Sequence, residues 1–242
     1  MKAIILAAGV GKRMGQFIDD SPKCLLKISG KSIINRLVED LLAYGIKDIV
    51  LVVGYKKEKI YDELEWVEPD TKIKYIVNDN YKIGSIISLW AAKDELNDDV
   101  IIMDADVVYD RKLLEKLIVS PKKSCFLMDS AFEDTGEEQK LGILNERVLT
   151  ISKKPLNGQF DFTGEAVGFL KLAGKDACLL ADALSRAIDR GIDNCEHEEI
   201  YDNILKQCSV GYETVDGMAW IEIDFPEDAK KAEEIMRESF EM

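Results

Sequence analysis

Basic residues are in deficit: 32 Lys+Arg stand against 46 Asp+Glu in 242 residues, a formal charge of −14. Nucleic-acid binding rests on Lys/Arg neutralising phosphates, so this charge speaks against a general nucleic-acid binder. Histidine is scarcer, with His197 the single residue of its type. It sits among four acids, reads as an exposed side chain, and supports no Ser-His-Asp or Cys-His constellation. The five cysteines (24, 125, 178, 195, 208) are odd in number, widely spaced and without a C-x-x-C pair. They read as reduced thiols, neither a disulfide framework nor a zinc site. Long apolar runs are missing too. Nothing approaches the roughly 18 residues of a membrane span, and the apolar start is too short for a signal h-region. The chain therefore reads as a soluble cytoplasmic protein with neither membrane nor nucleic-acid partners. Repeats, low-complexity tracts and Ser/Pro linkers are absent, and with them the hexapeptide pattern of a β-helix tail. One continuous domain over 1–242 follows.

What is present is an alternation of strands and helices. Lys2–Leu6, Asp48–Val53, Lys72–Val77 and Asp99–Met103 read as apolar runs of strand length. Lack of alternation marks strands buried on both faces, as in a parallel sheet. Helical patterns over Ser32–Ala43, Lys56–Leu64 and Ser85–Leu96 separate them, with Gly45 where a C-cap belongs. This is the signature of an α/β doubly wound sheet. A helix over Arg111–Ile118 follows. Short strands and turns fill 124–172, with Asn157-Gly158 the clearest turn signal. Helices over Asp176–Arg190 and Glu196–Lys206, strands near Gly211–Val215 and Ala219–Ile223, and a helix from Pro226 to about Phe240 complete the chain.

The strongest chemical signal follows the first strand: Leu6-Ala7-Ala8-Gly9-Val10-Gly11-Lys12-Arg13-Met14-Gly15, then Ser21-Pro22-Lys23. Small residues let the backbone approach a ligand and offer N–H groups to phosphate. Lys12, Arg13 and Lys23 add positive charge, which an acidic chain needs locally to hold a nucleoside triphosphate. The spacing G-x-G-x-x-x-G and a second strand ending Val53-Gly54-Tyr55-Lys56 do not fit a dinucleotide fingerprint. The sequence G-x-x-x-x-G-K-[ST] is absent as well. A redox dehydrogenase is thereby disfavoured.

A second signal is acidic. Met103-Asp104-Ala105-Asp106 ends the fourth strand, at the carboxyl edge where doubly wound sheets bind ligands. Carboxylates beside a triphosphate suit Mg²⁺, a hard cation that prefers oxygen. Glu222-Ile223-Asp224-Phe225-Pro226 offers the further acid such a site needs. The plain alternative is helix capping, by Asp106 or Asp110 before 111–118 and by Asp224 before Pro226.

The loop and the Pro-Lys resemble the N-terminal signature of nucleotidyltransferases with the nucleotide-diphosphosugar transferase fold. Over essentially the whole chain the likeness is to small bacterial cytidylyltransferases acting on phosphocholine and related alcohol phosphates or phosphonates. The resemblance implies a Rossmann-like, mixed and mainly parallel sheet flanked by helices. Residues 1–110 would form a nucleotide-binding half and 111–242 an acceptor-binding half. It implies that Leu6, Ala7, Ala8 and Gly9 meet the nucleoside and that Gly11, Lys12 and Arg13 meet the β/γ phosphates. Lys23 would sit at the α-phosphate and neutralise charge developing there; Lys12, Arg13 and Lys23 are the catalytic set. Asp106 and Asp224 are the implied Mg²⁺ ligands, with Asp104 on the ribose side. Asn78 and Ser85 are implied base contacts, although Gly84-Ser85 replaces the commoner Asn-Asn, and Ser85 as a mere helix cap stays open. Ser88 on the same helix is a further nucleotide-facing candidate.

The acceptor pocket is expected within 124–210. A cationic amine would be held by carboxylates and aromatic faces, of the types offered by Glu165, Glu198, Tyr201 and Trp220. The opposing reading makes 196–202 a solvated helix face and Trp220 core. The partners expected are CTP and a small phosphorylated acceptor, with the homodimer common among small members of the superfamily left open. Sugar-1-phosphate or inositol-phosphate nucleotidyl transfer is the rival within the same chemistry. A catalytically inactive nucleotide-binding regulator is the rival outside it.

Overall fold

A computed structural model describes every residue except Asp19 and Met242. The chain runs β1 (Lys2–Ala7), β2 (Lys27–Ile28), β3 (Lys31–Ser32), α1 (Ile33–Ala43), β4 (Asp48–Val53), α2 (Lys57–Glu63), β5 (Lys72–Val77) and α3 (Ser85–Ala91). It continues with β6 (Val100–Asp104), β7 (Val107–Tyr109), α4 (Arg111–Val119), β8 (Cys125–Asp129), β9 (Lys140–Leu144), β10 (Arg147–Ser152) and β11 (Phe162–Leu172). Last come α5 (Gly174–Asp189), α6 (Tyr201–Leu205), β12 (Gly211–Thr214), β13 (Trp220–Glu222) and α7 (Pro226–Glu241).

Among the described residues the largest sheet has nine strands, ordered β10-β9-β11-β6-β1-β4-β5, with β8 joining β11 and β12. Strands β6, β1, β4 and β5 are mutually parallel, and β11 pairs antiparallel with β6, β8 and β9. This is the α/β architecture expected from the sequence. The parallel centre explains the apolar runs of β1, β4 and β6, since both faces are covered; β5, expected to be buried on both faces, is instead an edge strand with no buried residue. Ala3, Ile5 and Ala7 of β1 join a core with Leu37 and Leu41 of α1, while Ile4 joins a second core with Leu180 and Leu184 of α5. Each fully buried aliphatic side chain contributes about 1.5–3 kcal/mol by leaving water.

Three local expectations need correction. The pattern over Ser85–Leu96 is not one helix: α3 ends at Ala91 and a 3-10 turn, Lys93–Glu95, follows. Likewise Glu196–Lys206 divides into a 3-10 turn, His197–Ile200, and the short α6. The tight hairpin of 124–172 is Asn145-Glu146 between β9 and β10, both residues at positive φ (52° and 60°). Asn157-Gly158 instead lies in the loop joining β10 to β11.

Candidate active site

Sheet register brings the two sequence signals together. Leu6 of β1 pairs with Val52 on one side and Asp104 on the other, so the glycine-rich loop and the Asp104–Asp106 turn leave the same edge. The ribbon of β7 and β13 adds the C-terminal acids: Glu222 pairs with Val107, and the Ile223 amide donates to the Asp106 carbonyl at 2.9 Å. Asp106, Glu222 and Asp224 thus present carboxylate oxygens within 4.8 Å of one another. Glu222 was not among the metal ligands expected. Its signal was the extended run Glu222-Ile223-Asp224, in which residues two apart share a face.

Capping does not explain these acids. Asp110 caps α4 by accepting from the Lys112 amide. Asp228 accepts from the Asp224 and Phe225 amides before α7, which leaves the Asp224 carboxylate free for side chains. Lys23 Nζ lies 2.6 Å from Asp106 and 3.0 Å from Asp224, and Arg13 reaches Asp224 at 2.7 Å. Burial alone would lower the Lys23 ammonium, but Asp106 and Asp224 override it and hold it above the usual lysine range. Local desolvation at the crowded strand ends, followed by the charges of Asp106 and Asp224, pushes Glu222 well above the carboxylate range even though the residue is solvent-exposed. Against its own burial, Asp224 is held low by Lys23 and Arg13. Asp106 keeps one oxygen, Oδ1, buried without a hydrogen-bond partner. An orphaned carboxylate oxygen within an all-oxygen triad fits a hard divalent cation such as Mg²⁺.

The loop folds around the cations. Gly11 adopts φ +65°, and a Cβ there would lie 3.0 Å from Lys23 Cβ, so glycine allows the loop to close on the lysine. Gly11, Lys12, Arg13, Lys23, Tyr81, Lys82 and Asp224 line a recess of about 260 Å³. Four cations line it; Lys23 is shared with Asp106 and Asp224 and Arg13 with Asp224 and Glu137, and Lys12 and Lys82 add the positive charge that suits a polyanion in a chain of charge −14. Lys82 joins the expected Lys12, Arg13 and Lys23 by spatial proximity alone. Leu6, Ala7, Ala8 and Gly9 form the end of β1 and the start of the loop, with Ala7 and Ala8 buried and Gly9 exposed.

A larger cleft, about 670 Å³, adjoins the triad. Asp104, Asp106, Glu196, Glu198, Glu199 and Glu222 line it, with Ser85, Gln139, Lys153, Lys154 and His197. Lys153, another residue missed from sequence, bonds Glu196 at 2.9 Å and is raised against its burial by Glu196, Glu222 and Glu198.

His197 is buried at 4% exposure, which corrects the expectation of an exposed side chain. The acidic run is not a solvated helix face. His197, Ile200, Tyr201, Ile204 and Leu205 fall on one inward stripe, a helical spacing that could have revealed it. Its Nδ1 lies 2.9 Å from Glu198 and 3.1 Å from Ser85 Oγ, and its Nε2 lies 3.6 Å from Asp104. The two nitrogens face different carboxylates, so the trio is a chain of ion pairs rather than a chelate. Burial would lower the imidazole, but Glu198 and Asp104 raise it to about 9. Burial pushes Asp104 up to about 8; His197 pulls against that shift and Glu198 adds to it.

Other expected contacts fall elsewhere. Asn78 is buried; it donates to Ser88 Oγ at 2.9 Å and accepts from the Asn80 amide, so it braces α3 from within. Ser88 is consumed by the same bond. The N-cap of α3 is Gly84, with Ser85 the first helical residue. Tyr201 is core, packed near Phe126 and edge-on to His197, beneath the cleft. Glu198 lines the cleft, but Glu165 and Trp220 gather at Asp129 instead. The Trp220 indole donates to Asp129 at 2.8 Å, and Glu165 pairs in register with Asp129. The four residues expected to hold the acceptor therefore do not converge.

The model of the MobA-like NTP transferase domain matches residues 3–131, and the chain belongs to that family of nucleotidyltransferases. It is 29% identical to a CTP:phosphoglutamine cytidylyltransferase of Campylobacter jejuni, covering 94% of this chain and 97% of that protein. It is 27% identical to the choline-phosphate cytidylyltransferase of Streptococcus pneumoniae, covering 98% and 99%. Among solved structures, an inositol-1-phosphate CTP transferase from T. maritima superposes with a TM-score of 0.77 at 18% identity, covering 98% of this chain and 94% of that one. The fold is the nucleotide-sugar transferase fold.

Proposed function

We propose that this chain transfers a cytidylyl group from CTP to a small phosphorylated amino-alcohol or a phosphonate, releasing pyrophosphate, with Mg²⁺ as cofactor. The observation that carries this reading is the junction of two unlike spaces at one lysine. Lys23 lies between the cationic recess and the carboxylate triad, which opens on the acid-lined cleft. The recess suits a triphosphate. The cleft, whose wall carries Glu196, Glu198 and Glu199 beyond the triad, suits an acceptor with a cationic head, and the half-buried Lys153 suits its phosphate. The CTP-using relatives above support cytidine as the base.

In the transfer, an acceptor phosphate oxygen attacks the α-phosphorus in line. The bond to the bridging oxygen of the β-phosphate breaks, and its electron pair leaves with pyrophosphate. The attacking oxygen is already ionised at neutral pH, so no general base is needed. Lys23 orients the α-phosphate and offsets its growing charge, while Lys12 and Arg13 hold the β/γ phosphates. Mg²⁺ held by Asp106, Glu222 and Asp224 would supply further charge neutralisation at the transferring group.

Pyrophosphate release with four nucleoside triphosphates crossed against phosphocholine, phosphoethanolamine, 2-aminoethylphosphonate, inositol phosphate and sugar 1-phosphates tests this. Release confined to CTP with an amino-alcohol phosphate or phosphonate is expected. Release only with a sugar or inositol phosphate would overturn the acceptor assignment. Binding of CTP without release from any pair would favour a nucleotide-binding regulator.

A further inference from the structure

The start of α3 lies where base contacts were expected, yet its bonds run to the acceptor side. The backbone of 193–195 presses on Gly84 so closely that a Cβ there would lie 2.7 Å from the Cys195 carbonyl oxygen and 2.8 Å from that of Asp193. The Ile86 amide donates to the same Cys195 carbonyl at 3.3 Å. One residue on, Ser85 Oγ accepts from the His197 amide at 2.8 Å and lies 3.1 Å from His197 Nδ1. From His197 the contacts continue to Glu198 and Asp104, both on the cleft wall.

Gly84 at this step has a steric reason: its φ of −165° suits any residue, so only the close backbone of 193–195 demands the missing side chain. The serine has a bonding reason, since its hydroxyl accepts from the His197 amide and lies within hydrogen-bond distance of the Nδ1 of the same buried residue. Neither reason involves a nucleotide.

We propose that Gly84, Ser85 and His197 form a docking joint that sets the acceptor pocket, with Ser85 a positioning residue acting through His197 on Glu198 and Asp104 rather than a reader of the base. The proposal rests on the nucleotidyl-transfer reading above. It makes the two substrates separable: loosening the joint disturbs the acceptor and spares the nucleotide.

The test uses the full chain carrying Ser85→Ala, Ser85→Thr or Gly84→Ala. Calorimetry gives the affinity for CTP, hydrogen exchange follows the amides of 193–199, and steady-state kinetics gives KM for each substrate. Losing one hydrogen bond at a buried partner predicts, for Ser85→Ala, exchange at the His197 amide faster by about tenfold and an acceptor KM raised about five- to tenfold. The affinity for CTP stays within about twofold and kcat within about threefold, since the reacting groups remain in place. Ser85→Thr, which keeps the hydroxyl, restores the wild-type values. Gly84→Ala, a wedge against the 193–195 backbone, moves the same quantities further. A tenfold loss of CTP affinity with acceptor KM unchanged would assign Ser85 to the base and overturn the joint. Unchanged exchange at 193–199 would overturn it as well. If the wild type releases no pyrophosphate with any acceptor, the transfer reading falls, while exchange and CTP binding still decide the joint.

Discussion

Lys23→Met removes the one ammonium that Asp106 and Asp224 share. The lysine side chain is only 15% exposed, and the two aspartates are 22% and 26% exposed. The variant leaves three carboxylates within 4.8 Å, with Arg13 still answering Asp224. Breaking a buried ion pair by removing one partner costs about 3–5 kcal/mol. Partial exposure of the acids and the remaining arginine reduce this to about 2–4 kcal/mol at neutral pH. For a chain of this size that lowers Tm by about 5–15 °C. The pH dependence has a definite sign. Lys23 holds Asp224 below its ordinary value, so its contribution is present above the unfolded aspartate range and is lost as pH falls through the depressed value. In the variant the crowded carboxylates take up protons on acidification, Glu222 first because it is already raised. The Tm difference from wild type is therefore largest at pH 7–8 and narrows toward about pH 4. Millimolar Mg²⁺ raises the Tm of the variant more than that of the wild type, because the Lys23 ammonium no longer competes for the triad. Scanning fluorimetry across pH, with and without Mg²⁺, reads all of this, and pyrophosphate release falls by about 10²–10³. Equal Tm values at pH 7.5, or a difference that widens on acidification, would refute the reasoning.

Because His197 is the single histidine, its ring protons give one resolvable NMR titration. The flanking Glu198 and Asp104 carboxylates place its midpoint near 9, and a midpoint near 6.5 would show that the ion-pair chain does not form. The associated stability is complete below the unfolded value of about 6.5 and is lost as pH rises toward 9. Burial, Glu138 and Asp129 push Glu165 up to about 7, so its ionisation weakens the fold as pH rises from about 4.5 toward 7. Partial exposure limits the cost to about 1–2 kcal/mol, so Glu165→Gln raises Tm at pH 8 and leaves it unchanged near pH 4; equal melting curves at pH 8 would count against the shift.

The parallel half of the sheet and the loop after β1 were legible because their physics is local. Fully buried parallel strands give unbroken apolar runs, as β4 does; β5 also appears at the residues named, although it is an edge strand with no buried residue. The glycine-rich loop, Lys23 and the acids at strand ends declare themselves by type and position. The part of the chain after α4 was less legible because long-range pairing decides it. β11 is an eleven-residue strand that exchanges partners along its length, so no simple alternation describes it. The Asn145-Glu146 turn carries no glycine to mark its positive φ values. His197 was hidden by composition: the acids around it suggest water, while the stripe beneath it faces the core. Lys82 and Lys153 enter the site only through folding, and nothing in their neighbourhoods marks them.

The ribbon of β7 and β13 has a consequence for how the molecule is made. Arg13 and Lys23 are separated from Asp224 by 211 and 201 positions, and the bonds between them close nearly the whole chain into a loop. A nascent chain halted before β13 already contains the strands of the nine-stranded sheet and the cationic loop, but it has one of the three clustered carboxylates. Such an intermediate can attract a polyanion before it can hold the full acidic cluster. Chemistry thus waits for the last strand, and completion of the site reports that synthesis has run past residue 224.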